Sequence, residues 1–164
     1  SMLLGGSAAR AENELRAGTV VGEFTAEGKK TELKYAYARW EKALLGGAVG
    51  IAVVLTELPA SAANIAATGK AQYLSDLEKK ENEKYQREVG GAIRFAMAPD
   101  GTIVDYSLGR PGWGVGKLGG KASKFVLAGG KLDGELTGHG EELGKWEYRV
   151  SFDVPLGPRP PELK

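Results

Sequence analysis

The chain of 164 residues contains no cysteine and a single histidine, His139. The missing cysteines exclude a disulfide framework, thiolate chemistry and cysteine-rich metal sites. They fit a cytoplasm and a bacterial periplasm equally well. One histidine all but excludes nucleophilic triads, which need an imidazole beside the nucleophile. A metal site built from His139, Glu141 and Glu142 needs ligands from elsewhere, and His139 reads first as a polar turn residue. An excess of one charge is also lacking, with 22 Lys and Arg against 21 Asp and Glu. A nucleic-acid binder carries a basic footprint, so no nucleic-acid partner is expected. No apolar run approaches the roughly 18 residues of a membrane helix. The longest, around Ala48 to Leu55, is strand-sized, so no membrane span is expected.

Cofactor motifs are missing as well. Gly114-Val115-Gly116-Lys117-Leu118-Gly119 spells G-x-G-x-x-G. That pattern holds a pyrophosphate only where a strand turns into a helix. Lys121 to Ala128, which follows, reads as a strand. No cofactor and no catalytic residue is assigned. A hydrolase working through paired carboxylates rests only on the abundance of Asp and Glu.

What is present is alternation. In Lys145 to Val154 the residues Trp146, Tyr148, Val150, Phe152 and Val154 share one side of an extended chain. Lys145, Glu147, Arg149, Ser151 and Asp153 share the other, which is the pattern of a strand with one face buried. Gly18–Ala26, Thr31–Trp40 and Val49–Leu58 read as earlier strands, the third apolar on both sides as a doubly covered strand is. Pro59 then opens a helical insertion over 59–89, with one helix at Ala60 to Thr68 and a charged one at Lys70 to Glu88. Ala92–Ala98 and Thr102–Leu108 flank the turn signal Pro99-Asp100-Gly101. A glycine-rich loop follows, then a hairpin across Gly129-Gly130. Its second arm alternates Leu132, Gly134, Leu136 and Gly138, a spacing that permits a bend or close backbone approach.

The expected fold is mainly β, with about eight antiparallel strands in a strongly curved sheet or barrel and a helical insertion after the third strand. Pairing of the last strand with the first would close it. Residues 1–17 read as a flexible N-terminal segment in which Ser1-Met2 is a cloning remnant. Residues 18–155 form one β-rich domain, and 156–164 a proline-rich tail without fixed structure.

Gly22-Glu23-Phe24-Thr25, Gly28-Lys29-Lys30-Thr31 and Leu33 to Ala38, with Val53-Val54-Leu55-Thr56-Glu57-Leu58-Pro59 and the last strand around Phe152-Asp153-Val154-Pro155, resemble a family of small, predicted exported bacterial proteins. Those proteins pair a G-K-x-x-x-L-x-x-A-Y-A hairpin with a V-V-L-L-T-x-x-P strand; here one leucine precedes the threonine. The resemblance implies a periplasmic or secreted location and carries no catalytic residues. Gly22-Glu23-Phe24 on a first strand is similar to the lipocalin-like group, with Phe24 where that group has tryptophan.

Four residues stand out as ligand contacts. Trp113, among glycines in Arg110 to Lys117, can stack on a ligand or anchor a partner, or fold down onto one end of the sheet. Tyr35, Tyr37 and Arg39 share a face with Leu33. If that face is internal, Arg39 needs a carboxylate such as Glu57 or Glu23, or a bound anion. The sequence therefore points to a non-enzymatic exported binding domain for a small apolar or amphipathic ligand or an envelope partner. The alternative is a protein-interaction or inhibitor module with a packed interior.

Overall fold

A computed structural model describes residues 16–42, 48–67, 80, 83–84 and 86–163. The strands are β1 (Gly18–Ala26), β2 (Lys29–Glu32), β3 (Tyr35–Glu41), β4 (Gly50–Thr56), β5 (Ala92–Met97) and β6 (Ile103–Arg110). They continue as β7 (Trp113–Leu118), β8 (Lys124–Ala128), β9 (Lys131–Gly140) and β10 (Trp146–Pro155). A short helix, α1 (Ala62–Ala67), lies between β4 and β5. The expected β class holds. The strands form one antiparallel sheet that curls 205° round an axis, a half-barrel with ten strands among the described residues rather than eight.

Two of the differences have local causes. The expected strand Thr31–Trp40 is broken at Leu33-Lys34 into β2 and β3, so the helical insertion follows the fourth strand. The break sits at a corner. Early β1 pairs with β3, late β1 pairs with β2, and the Gly22 carbonyl between them accepts from Leu33 N at 3.0 Å. Gly22 has φ 145°, and a Cβ there would overlap the backbone of Arg149 and Val150. Only glycine serves at such a bend. The second difference is β7, which occupies what the glycines suggested was a loop.

The order of strands is β7-β6-β5-β4-β3-β1-β10-β9-β8, with β2 on β1. β10 does pair with β1, from Thr19 opposite Asp153 to Ala26 opposite Trp146. That pairing does not close a barrel, because β9 and β8 continue the sheet beyond β10. Among the described residues, β7 and β8 are left as its edges.

The concave side holds the core. Trp146, Tyr148, Val150, Phe152 and Val154 are all buried there, as the alternation requires, with Phe24, Val53, Phe95 and Leu136. Phe95 on β5 meets Tyr148 on β10 at 5.7 Å, and Tyr106 on β6 meets Trp146 at 6.3 Å. These strands are not neighbours in the sheet, so the contacts cross the concavity and fill it. Full burial of a ring such as that of Phe95 contributes about 1.5–3 kcal/mol. The glycines of β9 make room for them. Gly134, Gly138 and Gly140 stand opposite Phe152, Tyr148 and Trp146, and a Cβ at any of the three would strike the facing ring.

On the convex side α1 covers β3 and β4, where Tyr37, Val54 and Ile65 form a second small core. This is why every residue of β4 is buried. Ser61 and Asn64 cap the helix reciprocally: Asn64 N donates to Ser61 Oγ at 3.2 Å and Ser61 N to Asn64 Oδ1 at 2.8 Å. This is a capping box with Asn in the third position. The charged helix expected over Lys70 to Glu88 lies mostly outside the described residues, with 86–88 helical at its end. The start of the tail lies against the sheet. Leu156 is buried and donates its N–H to Gly130 O, and Gly157 O accepts from Trp40 Nε1 at 2.9 Å.

Candidate functional site

The four residues singled out from the sequence do not converge. Tyr35, Tyr37 and Arg39 point to the convex side of β3. Tyr37 is buried beneath the approach to α1, and its hydroxyl accepts the N–H of Ala60 at 2.9 Å. Arg39 finds its carboxylate two residues along the same face, neither of the two acids foreseen. Its Nε and Nη2 both donate to Glu41 Oε1, at 2.9 and 2.8 Å. The other oxygen of Glu41 accepts from Arg94 Nη2 at 2.7 Å. Two guanidiniums thus share one carboxylate, and the cluster keeps a positive excess.

Trp113 lies on the other side of the sheet. It is the first residue of β7 rather than part of a loop, and its ring stacks on Phe24 with centroids 6.4 Å apart and planes at 23°. Arg110 lies over the same ring at 5.4 Å, a cation–π geometry. The indole N–H donates to Leu143 O at 2.9 Å. Leu143 has φ 58°, a conformation that a leucine seldom adopts, in the turn joining β9 to β10. Nearby, Lys117 Nζ donates to Glu142 Oε1 at 2.6 Å. These contacts tie β7 to the turn facing it across the mouth of the half-barrel. Trp113 therefore folds down onto the sheet.

Electrostatics at the mouth follow from that clasp. The hydrogen bond and charge of Glu142 hold the Lys117 ammonium above its ordinary range. The hydrogen bond from Lys117 holds Glu142 below the usual carboxylate range. Deeper in, burial pushes the hydroxyls of Tyr106 and, more strongly, Tyr148 upward. Both hydroxyls thus stay protonated at physiological pH.

A second open surface lies on the other side of the sheet. On the convex side β5, β6 and β7 form the floor of an open groove of about 670 Å³. The floor is nearly free of side chains: Ala92, Ser107, Gly109, Gly114 and Gly116 lie across it by register. A Cβ at Gly109, Gly114 or Gly116 would meet nothing closer than 3.5 Å, so the floor is truly open. Arg94 stands at its inner side, and Glu83, Gln86 and Arg87 form one wall. Sequence reasoning missed this site. The one available signal was Arg94, alone among apolar residues on β5.

The G-x-G-x-x-G letters fall on β7 and Gly119 just after it, and no helix follows, so the geometry that cradles a pyrophosphate is missing. His139 is exposed on β9 opposite Glu147. Among the described residues no group of His, Asp and Glu is placed to hold a metal ion. Also among them, no helix is long and apolar enough to cross a membrane. The site belongs to an open, curled antiparallel sheet with a filled concave side and a bare convex groove. Comparison of the chain with known protein families, curated proteins and solved structures gives no match.

Proposed function

We propose that this protein is a non-enzymatic binding module that takes an extended segment of a partner polypeptide in the convex groove. The observation that carries the reading is the floor itself. A strip of glycine, alanine and serine leaves room for an extended chain to lie against the sheet face, held by side chains around the floor rather than by main-chain pairing. Of the occupants expected from the sequence, a protein partner is favoured over a small apolar ligand because the concave interior is filled by aromatic rings. Recognition falls to Arg94 and Arg87, with Ser107 supplying a hydroxyl at the centre of the floor. The shared carboxylate of Glu41 leaves the Arg39–Arg94 pair with surplus positive charge, so segments bearing Asp or Glu are preferred. Tyr37 and Arg39 act by holding the groove's inner side in place. The resemblance of the first four strands to exported bacterial proteins supports a site of action in the cell envelope or outside it.

The reading is tested by panning a phage-displayed library of linear peptides against the wild-type chain and against Ser107→Trp, which fills the floor. Acidic peptides enriched on the wild type and lost on the variant, with unchanged melting, support the groove. Equal enrichment on both, or none on either, removes it.

A further inference from the structure

We propose that β7 is a self-complementary edge through which two copies of this chain join into one continuous sheet. The argument begins with the direction of backbone groups. The β6–β7 hairpin closes on two residues, Pro111 and Gly112, with Arg110 opposite Trp113. The closing pair of such a hairpin bonds across the ladder, so Trp113, Val115 and Lys117 turn their amide groups to β6. Gly119 keeps the phase, its N–H donating to Val104 O at 2.9 Å. Gly114, Gly116 and Leu118 therefore turn theirs outward, at the end of the sheet where, among the described residues, no strand follows.

An unpaired row of this kind is a template for another strand, and natural edges are usually guarded by charge, proline or a bulge. β8, the opposite edge, has Lys121 just before it and Lys124 facing the convex side. β7 has glycine at two of its three outward positions. Its one charge, Lys117, lies on the concave side and is taken up by Glu142 of the same chain.

Register then selects the partner. An antiparallel pairing of β7 with itself, centred on Gly116, sets Gly116 against its own copy and Gly114 against Leu118 of the other chain. All three outward residues bond, and no like charges stand directly opposite, since Lys117 faces Val115. Leu118 is 77% exposed in the single chain, without an intramolecular reason to be apolar. In this register it lies over the bare backbone of Gly114, where an added Cβ finds no atom closer than 3.5 Å. A large side chain opposite a glycine is the pairing β9 and β10 already use at Phe152, Tyr148 and Trp146. The contact is isologous and closes on itself, so it ends at a dimer. It also sets Leu118 of the partner as a wall at the open side of the groove. The inference rests on backbone groups and Leu118, and stands whatever the groove binds.

The chain has no cysteine, so a single introduced one reports the register cleanly. Antiparallel partners that exchange both bonds hold their Cα atoms about 5.5 Å apart, within disulfide range. Gly116→Cys is expected to form a disulfide-linked dimer on mild oxidation, about tenfold or more faster than Val126→Cys on the other edge, because its thiols are held together. Sedimentation is expected to show a concentration-dependent dimer for the wild type and a monomer for Leu118→Glu, with both melting alike when dilute and the wild type melting higher as concentration rises. A wild-type monomer at every concentration, equal cross-linking of the two cysteine variants, or a dimer that survives Leu118→Glu would each overturn the proposal.

Discussion

Tyr148 and Gly138 face each other across the β9–β10 ladder, and the ring of one fills the space where a Cβ of the other would stand. The same holds for Phe152 with Gly134 and Trp146 with Gly140. These three pairs let the aromatic row of β10 lie close to β9 while reaching the rings of β5 and β6 across the concavity.

A paired substitution tests this. Gly138→Ala is expected to cost about 1–3 kcal/mol, because the methyl group must displace a packed ring. Gly109→Ala, on the open floor of the groove and with ordinary φ, is expected to be neutral or to stabilise by up to about 1 kcal/mol through the unfolded chain. Urea melts of the two variants give the comparison. Similar losses in both would mean that the glycines act through backbone flexibility rather than ring contact.

The Arg39–Glu41–Arg94 cluster should behave as a unit. Glu41→Gln leaves two guanidiniums, exposed by only 29% and 13%, without their carboxylate. A loss of about 1–3 kcal/mol is expected. Arg39→Met in the same background removes one stranded charge and should restore part of the loss, a coupling read from a double-mutant cycle. Strict additivity would show that the two residues do not interact.

Much of this architecture is legible in the sequence, and the reasons for the rest are physical. The alternation of β10 and the double burial of β4 follow from period and composition, since a face that is apolar must be covered. The strand β7 is hidden because Gly114 and Gly116 blank out half of its pattern and carry poor strand propensity. It holds through tertiary contacts: Trp113 on Phe24 and Lys117 on Glu142. The ion pair of Arg39 was within reach, for Glu41 lies two residues on and therefore on the same face. The groove was not, because Ala92, Ser107, Gly109 and Gly114 become neighbours only through the registers of three strands.

The clasp between Lys117 and Glu142 predicts a pH window. Glu142 titrates below its ordinary range, so its contribution is complete above the unfolded carboxylate pKa and is lost as pH falls through the folded value. Lys117 titrates above its ordinary range, so its contribution is complete below the unfolded lysine pKa and is lost as pH rises through the folded one. The clasp should thus be constant through neutral pH and released only in strong acid and strong alkali. Nuclear magnetic resonance of the Trp113 indole N–H, which bonds the adjoining Leu143 carbonyl, follows both ends. A shift centred near neutrality would contradict the assignment.

Trp113→Phe keeps a ring on Phe24 but removes the N–H given to Leu143. A loss of about 0.5–1.5 kcal/mol is expected, with faster amide exchange in the turn around Leu143. No change in either would mean that the indole does not hold the mouth.

The free edge of β7 is the feature on which the edge-to-edge pairing turns and which bounds the groove. Amide hydrogen exchange along this strand, measured from dilute to concentrated protein, tests it most directly. Val115 and Lys117 should be protected throughout, while Gly114, Gly116 and Leu118 exchange fast when dilute and slow as concentration rises. Equal protection of all five amides in dilute solution would contradict the account, because the edge would then already be covered within one chain.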